Sequence, residues 1–335
     1  MNDFNRLFIT PVLPFADDAA RVIDEDGYRR LLRYFMQPEF LASRMGVIAN
    51  PEAGEIFYLS REEKRRIVEI TVEECGEHVP VFAGVAGTST DDCVQVARDA
   101  HEAGAIGLFL CPPIGASDVT VSWDAEQYPE IWIDMARAVA DAADLPIIAH
   151  PVSSVTPRWA QGLPLPATLK MCEEIPQIVG WKMTYSYDAL LRVARGLRQF
   201  NAETGRDVMV MGASAHWFHD LMAREYLDGV CTGSFSYAME PMLAHLEAWR
   251  REDLQEARRI WNGGMAALHE YVYAEWSRLH IRYKVATWLR GLIDSPLMRP
   301  PVPRPKQIEI DTIRGLLEAA GLDPIAATPE EARFL

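Results

Sequence analysis

Short apolar runs alternate with longer amphipathic segments along the first 237 residues of the chain. Eight of these runs are compact and rich in apolar or β-branched residues: Phe8–Leu13, Met45–Ala49, Val79–Val85, Ile106–Cys111, Leu145–His150, Ile178–Met183, Val208–Gly212 and Gly229–Gly233. Such runs are typical of strands that are buried on both faces, as in parallel sheets.

The segments between the apolar runs have helical spacing. They include Ser60–Cys75, Thr90–Ala103, Asp124–Ala143, Asp188–Phe200 and His216–Leu227. In the first of them, Ser60 followed by Glu63 predicts a capping box. Strands that alternate with helices in this way predict a (β/α)8 TIM barrel. A doubly wound open sheet is the alternative, but it would place a glycine-rich phosphate loop after its first strand, where this chain has 10–14, Thr-Pro-Val-Leu-Pro.

The strand pattern stops beyond residue 237. Three helices are predicted there, followed by a proline-rich stretch and a last short helix: Met239–Arg259, Trp261–Leu279, Ile281–Leu292 and Glu309–Ala320. We therefore predict two parts, a catalytic barrel over residues 1–237 and a C-terminal helical extension over 238–335 that packs on the barrel.

The charge and cysteine content of the chain exclude several classes of partner and site. Its 48 acidic and 33 basic residues give a net charge of −15, which repels phosphate backbones and argues against nucleic acid as a partner. The five scattered cysteines predict neither a disulfide framework nor a cysteine-rich zinc site. There is no signal-peptide pattern and no apolar run near the ~20 residues of a membrane span. We expect a cytoplasmic protein without a membrane partner.

The chain has only five lysines, and the position of Lys182 differs from that of the others. Lys182 lies in the apolar run Ile178–Met183, near the carboxyl end of a predicted strand, where such barrels carry their chemistry. Burial disfavours the charged form of an amine and frees the lone pair that a Schiff-base nucleophile requires. A lysine that snorkels, or that pairs with a carboxylate such as Glu55, is an equally good interpretation of the pattern. We expect the four others on solvated faces: Lys64, Lys170, Lys284 and Lys306.

Other strand ends supply further candidates. His150 is either a hydrogen-bonded structural histidine or a proton shuttle beside the lysine, in which case activity should titrate near neutral pH. Strand-end residues are predicted to bind substrate: Thr184, Gly212, Thr232 and Gly233. A metal site would need Glu52, Glu55 and His150, which lack a recognised ligand spacing, and none is predicted.

Several stretches resemble one known family. They are Gly46–Ile48 with Gly54-Glu55 and Leu59–Lys64, then Pro80–Thr90, Ala103–Gly107 with Pro112-Pro113, Ile178–Lys182, and Lys284–Ala286 with Arg299–Pro301. In order and spacing, the chain resembles the dihydrodipicolinate synthase / N-acetylneuraminate lyase family of class I aldolases, over about residues 6–303.

The resemblance implies a barrel with a helical extension, a homo-oligomer (tetramer or dimer) and no cofactor. It also implies that Lys182 condenses with the ketone of a 2-oxo acid, pyruvate or a sugar acid. The resulting protonated imine then accepts electrons while a C–C or C–O bond breaks or forms. The loop Glu52, Ala53 and Gly54 would hold the substrate carboxylate through backbone N–H groups of its last two residues.

The chain departs from the family pattern around the lysine. Glu52-Ala53 replaces two threonines, Pro113-Ile114 replaces two tyrosines, and His150 (or Ala149, if the register slips) replaces a proton-relaying tyrosine. The stretch 152–154, Val-Ser-Ser, lacks the arginine of the synthases.

We therefore predict a Schiff-base lyase, an aldolase or a dehydratase, that uses Lys182 with His150 or Glu55 moving protons, and not dihydrodipicolinate synthesis itself. A family member that has lost turnover and serves in binding or regulation is one alternative. A metal-assisted hydrolase that uses Glu52, Glu55 and His150 is another.

Overall fold

Eight parallel strands close into a barrel in which each strand pairs with the next along the chain and β8 pairs with β1. The computed structural model describes residues 6–113, 124–151 and 163–322. The strands are β1 Arg6–Ile9, β2 Met45–Ala49, β3 Val81–Val85, β4 Gly107–Leu110, β5 Ile147–Ala149, β6 Ile178–Met183, β7 Met209–Gly212 and β8 Gly229–Thr232. The predicted (β/α)8 barrel is confirmed.

Several strands are shorter than the apolar runs that predicted them. The clearest case is Phe8–Leu13, because β1 spans only Arg6–Ile9. Pro11 follows closely, and proline lacks the N–H that a strand ladder requires. Val12 and Leu13 are nevertheless fully buried, which explains why this part of the run is apolar although it is not a strand.

Helices fill the connections between the strands. They are Glu25–Phe35, Pro38–Leu41, Arg61–Cys75, Thr90–Glu102, Glu130–Ala143, Leu165–Glu174, Tyr187–Thr204 and Phe218–Ala223. The predicted capping box is present: the Glu63 N–H donates to Ser60 Oγ at 3.2 Å, and the Ser60 N–H donates to Glu63 Oε2 at 2.8 Å. The box satisfies two N–H groups that would otherwise lack partners at the helix start.

Two connecting helices begin later than the pattern predicted. The segment expected as Asp124–Ala143 becomes helical only at Glu130, because Pro129 disfavours helical backbone in the residue before it. The segment expected as His216–Leu227 starts with a 3₁₀ turn and is α-helical only over Phe218–Ala223.

The C-terminal extension contains more breaks than expected. Its α-helices are Phe235–Arg250, Leu254–Ile260, Ala266–Tyr273, Leu279–Leu289 and Gln307–Ala319. The expected helix Met239–Arg259 is interrupted at Glu252, whose φ is 58°. Asp253 then caps a new helix by accepting the Glu256 N–H at 3.0 Å. The apolar spacing continues across this break, so spacing alone did not reveal it.

The predicted boundary between residues 237 and 238 falls inside the helix Phe235–Arg250. The backbone of that helix leaves helical geometry at Ala238, with φ −135° and ψ 34°. The division into 1–237 and 238–335 stays a prediction, and residues 323–335 lie outside the described ranges.

A buried ion-pair cluster holds the last described helix, Gln307–Ala319, against the rest of the extension. Glu309 accepts hydrogen bonds from Arg278 Nε at 2.9 Å and from Arg282 Nε at 3.2 Å. Burial alone would raise the pKa of Glu309, but the hydrogen bonds from Arg278 and from the Lys306 N–H outweigh it and lower the pKa to about 2. The carboxylate is therefore part of the folded state throughout the neutral range.

We expect Glu309→Gln to lower the free energy of unfolding by about 3 kcal/mol at neutral pH, because it leaves buried guanidinium groups without their counter-charge. The folded pKa lies below the unfolded one, so this stabilisation is present above about pH 4.5 and is lost as the pH falls towards 2. Urea unfolding followed by circular dichroism measures the difference.

Glu256→Gln is the matched control, since Glu256 pairs with Arg259 one helical turn away at an exposed site. It should leave the free energy of unfolding nearly unchanged, because solvent screens an exposed ion pair. Equal effects of the two substitutions would contradict the role assigned to Glu309.

Candidate active site

Lys182 is the next-to-last residue of β6 and points into the barrel. A Cβ placed on Gly180 would lie 3.3 Å from Met209 Cε, inside the barrel, and Lys182 lies two residues further on the same face of the strand. Trp181, between them, points outward and packs against Trp132 of a surrounding helix, with ring centroids 5.9 Å apart. The alternation of the strand therefore fixes the direction of the lysine.

The amine of Lys182 is largely shielded from water. The residue is 7% exposed, and its Nζ lies 5.1 Å from the ring centroid of Phe109, which belongs to the apolar filling of the barrel. A cation over an aromatic face gains some stabilisation, but far less than an ammonium loses on leaving water.

His150 follows β5 and reaches the same pocket. Its Nε2 lies 2.8 Å from Thr184 Oγ1 and 3.8 Å from Glu52 Oε2. Burial, together with the positive charge of Lys182, holds the pKa of His150 well below its usual value of 6.5. His150 is therefore neutral at physiological pH. This corrects the expectation that it titrates near neutrality, because the expectation ignored how deeply the ring is buried.

Glu52 is the group of this pocket that titrates near neutral pH. Burial raises its pKa, and the nearby charge of Lys182 only partly offsets the effect, so that the pKa lies at about 7. A carboxyl group poised in this way can both accept and donate a proton under physiological conditions. The sequence placed Glu52 at the site but suggested no such role.

Glu55 does not reach the pocket. Its Oε1 accepts a hydrogen bond from Lys284 Nζ at 2.6 Å, and its Oε2 accepts the Arg299 N–H at 2.9 Å. Both side chains of the Glu55–Lys284 pair are 1% exposed. Two expectations are therefore corrected: Lys284 is not on a solvated face, and Glu55 is a structural anchor rather than a partner of Lys182 or a carrier of protons. The trio Glu52, Glu55 and His150 that a metal-assisted hydrolase would use is not brought together.

Two predicted substrate-binding glycines also lie outside the pocket lining. The Gly54 N–H, expected to hold a carboxylate, donates instead to the Pro51 carbonyl at 3.0 Å, because the loop forms a tight 3₁₀ turn. Gly212 ends β7 beneath Leu227 and Phe218, and a Cβ placed on it would lie 2.8 Å from the Leu227 side chain.

The structure does bring the other predicted site residues together. They line one cavity at the carboxyl ends of the strands: Glu52, Ala53, His150, Lys182, Thr184, Thr232 and Gly233. The free space in the cavity is about 20 Å³, room for about one water molecule. A bound organic acid therefore requires side chains at the cavity mouth to move, where Trp276 is 38% exposed.

About a third of the pocket wall comes from residues of the C-terminal extension, which the sequence analysis missed. Tyr273, Trp276, Leu279, His280 and Tyr283 all belong to the C-terminal extension. Burial, then the charge of Lys182, lowers the pKa of His280 to about 3. A usable signal existed in the spacing of His280, Tyr283 and Lys284, which places three polar groups on one face of an otherwise apolar helix.

A larger cavity, of about 570 Å³, lies among the C-terminal helices. Its charged side chains are engaged with one another: Arg290 pairs with Glu240 at 2.9 Å, and Arg259 pairs with Glu256 at 2.6 Å. The cavity at the strand ends holds Lys182 and is the candidate active site.

Comparison with known proteins supports the resemblance. Residues 3–320 match the sequence model of the Dihydrodipicolinate synthetase family. The chain belongs to this family. Members of the Dihydrodipicolinate synthetase family are class I aldolase-type lyases, and the chain is therefore an enzyme of this class.

Relatives and solved structures cover almost the whole chain. The 4-hydroxy-tetrahydrodipicolinate synthases of Methanopyrus kandleri and Rhodospirillum centenum are 27% and 28% identical to it, over 93% and 95% of this chain and 95% and 99% of theirs. Among structures, the dihydrodipicolinate synthase from Aquifex aeolicus has a TM-score of 0.77 at 20% identity, with 97% of this chain and 100% of that chain covered. A family protein from Escherichia coli K12, solved with pyruvate, has a TM-score of 0.77 at 19% identity, with 94% and 99% covered. These structural likenesses confirm the fold.

Some expectations fall outside these results. Ile114 and residues 152–154, where the chain departs from the family pattern, lie outside the described ranges. Across the described residues, no helix combines the length and apolarity needed to cross a bilayer.

The first prediction from the site concerns the Glu55–Lys284 pair. We expect Glu55→Gln and Lys284→Met each to lower the free energy of unfolding by about 3 kcal/mol, because each leaves a buried polar group without its partner. The double variant should lose less than the sum of the two, since no unpaired charge remains. Urea unfolding of the four proteins measures the coupling, and strict additivity would contradict a direct pair.

The second prediction concerns Glu52. Carbon-13 NMR of protein labelled at the glutamate carboxyl groups should show one signal with a midpoint near pH 7. The signal should disappear in Glu52→Gln and persist in Glu256→Gln, which removes an exposed carboxylate far from the pocket. A midpoint near 7 that vanishes only when His150 is replaced would show that the histidine titrates instead.

Proposed function

We propose that the enzyme is a Schiff-base-forming lyase that acts on a 2-oxo acid through Lys182. One observation carries the proposal: the amine lies at the carboxyl end of a barrel strand, in a pocket that it shares with Glu52, whose pKa lies at about 7, and with the neutral His150. Such an amine can attack a carbonyl carbon, and the neighbouring groups can move protons without adding fixed charge.

The proposed reaction begins when Lys182 passes its ammonium proton to the Glu52 carboxylate. The neutral nitrogen then attacks the C2 carbonyl of the 2-oxo acid, and an amine proton moves to the carbonyl oxygen to give a carbinolamine. The carbinolamine loses water, with a proton supplied by the protonated Glu52, and leaves a protonated imine. The Glu52 carboxylate then removes a proton from C3, and the electron pair moves into the imine to form an enamine. The enamine carbon can form a new C–C bond, and the protonated imine can accept the electron pair when a C–C bond breaks. Water can leave from the enamine in a dehydration. Hydrolysis of the imine then releases Lys182.

His150 assists Glu52 in this scheme. Its Nε2 lies 2.8 Å from Thr184 Oγ1 and 3.8 Å from Glu52 Oε2, so that the neutral ring can orient the Glu52 carboxyl group beside Lys182 without adding charge. The Glu52–His150 pair thus replaces the tyrosine and threonine hydroxyls that the family pattern places around the lysine.

We propose further that the 2-oxo acid is not used for dihydrodipicolinate synthesis, although the relatives at 25–28% identity carry the name 4-hydroxy-tetrahydrodipicolinate synthase. The support is the changed loop: Glu52-Ala53 offers an acid and a methyl group in place of two hydroxyls. A homo-oligomer, tetramer or dimer, and a cytoplasmic location stay predictions.

The test is reductive trapping. Incubation with pyruvate and borohydride should add one reduced pyruvate to Lys182, because reduction fixes the imine as a stable amine. Peptide mass spectrometry locates the adduct, and a parallel assay should detect no 4-hydroxy-tetrahydrodipicolinate. A panel of other 2-oxo acids then identifies the preferred substrate class.

Lys182→Met should abolish trapping, whereas Lys170→Met, which removes a half-exposed lysine on a connecting helix, should retain it. Trapping without exchange of the pyruvate C3 hydrogens in heavy water would favour the alternative of a family member that binds but does not turn over. No adduct with any 2-oxo acid would refute the Schiff-base function.

A further inference from the structure

Four hydroxyl groups form a buried cluster on one wall of the Lys182 pocket. Thr232 Oγ1 lies 2.8 Å and Ser234 Oγ 3.1 Å from the Tyr273 hydroxyl, and the Tyr283 hydroxyl donates to that of Tyr273. Thr232 ends β8 and Ser234 follows it, and the two tyrosines come from the helices Ala266–Tyr273 and Leu279–Leu289. The cluster therefore joins the barrel to its C-terminal extension at the edge of the cavity.

Tyr283 occupies the part of the wall next to the strand-two loop. A Cβ placed on Gly233 would lie 2.5 Å from the Tyr283 ring and 3.1 Å from Ala53 Cβ. The ring thus lies against Gly233 and close to the loop, and only a residue without a side chain at 233 permits this approach. Ala53 has no hydroxyl to offer a ligand, whereas Tyr283 brings one to the same cavity.

A 2-oxo acid bound to Lys182 brings a carboxylate that needs hydrogen-bond donors. The loop supplies few of them, because the Gly54 N–H is engaged with Pro51 and Glu52 becomes an acceptor when it loses its proton, so that the Ala53 N–H is the one donor that this described loop keeps beside the cavity. A phenol is well suited to the task, since burial raises the pKa of Tyr283 well above 10 and the group stays a neutral donor.

The hydroxyl cluster allows Tyr283 to change its hydrogen-bond partner at little cost. Tyr273 has other partners in Thr232 Oγ1, Ser234 Oγ and the Ala213 carbonyl, at 2.8, 3.1 and 3.2 Å. Tyr273 can therefore turn its proton from the Ala213 carbonyl to Tyr283, and accept from Thr232 or Ser234, when Tyr283 turns its own proton towards a ligand. Hydroxyl groups rotate in this way because each carries one donor and free acceptor positions.

We propose that Tyr283, held in place by Tyr273, contacts the substrate and binds the carboxylate of the 2-oxo acid, so that the C-terminal extension supplies a side-chain anchor that the strand-two loop lacks. The inference rests on the proposed Schiff-base function of Lys182. It makes Tyr283 a catalytic-site residue and Tyr273 a positioning residue.

The experiment measures the concentration of pyruvate that gives half-maximal borohydride trapping on Lys182. It is carried out at a pH below about 7, where Glu52 is protonated. In Tyr283→Phe this concentration should rise about 10- to 100-fold, because a hydrogen bond to a charged group is lost. Methyl pyruvate, whose carboxylate is esterified, should be trapped equally well by the wild type and by the variant. The ratio of the two probes within each protein separates loss of the anchor from general damage to the fold.

Tyr237→Phe is the matched control, since the Tyr237 hydroxyl donates to Ser234 Oγ at 3.1 Å but is not part of the pocket lining. It should change the half-maximal pyruvate concentration by less than about threefold. An unchanged preference for pyruvate over methyl pyruvate in Tyr283→Phe would overturn the inference and leave Lys182 chemistry intact. Absence of any adduct in the wild type would instead overturn the proposed function, and this inference with it.

Discussion

The buried ion pair between Glu55 and Lys284 determines how the pocket is assembled. It links the loop after β2 to the helix Leu279–Leu289, whose residues His280 and Tyr283 form the opposite wall. Because both side chains are shielded from water, either one alone would be a costly buried charge, and the two elements are stable only when docked together. The barrel by itself therefore presents an incomplete site, and this pair holds the remaining wall, from the C-terminal extension, against it.

The barrel could be predicted from the sequence because its signals are local. Each strand of a parallel sheet is buried on both faces. Runs such as Met45–Ala49 and Ile178–Met183 can therefore be recognised as strands without knowledge of the elements that pack against them. The extension was less predictable, since the break at Glu252 depends on backbone geometry that interrupts no apolar spacing. Lys284 was placed wrongly for a different reason: its partner lies 229 residues away in the chain.

The sequence likewise predicted the site residues of the barrel but not those of the C-terminal extension. Residues at strand ends, such as Lys182, His150 and Glu52, were found because a barrel brings those ends to one face. Tyr273 and Tyr283 were not, because aromatic residues in apolar helices are normally core, and only their hydroxyl contacts distinguish them. Ionisation states were equally out of reach. The neutral His150 and the poised Glu52 result from burial, which a pattern of residue types does not quantify.

The chain as a whole carries a net charge of −15, so its overall field does not attract an anion. Among the described residues that line the pocket and have a shifted pKa, only Glu52 titrates near neutral pH, and its group is a carboxyl. When an anionic ligand enters, its charge favours the protonated form of Glu52. Binding then draws a proton from the solvent, and the ligand is captured in effect as the neutral acid. The affinity for an anionic ligand therefore depends on pH, because each binding event takes up a proton from the solvent.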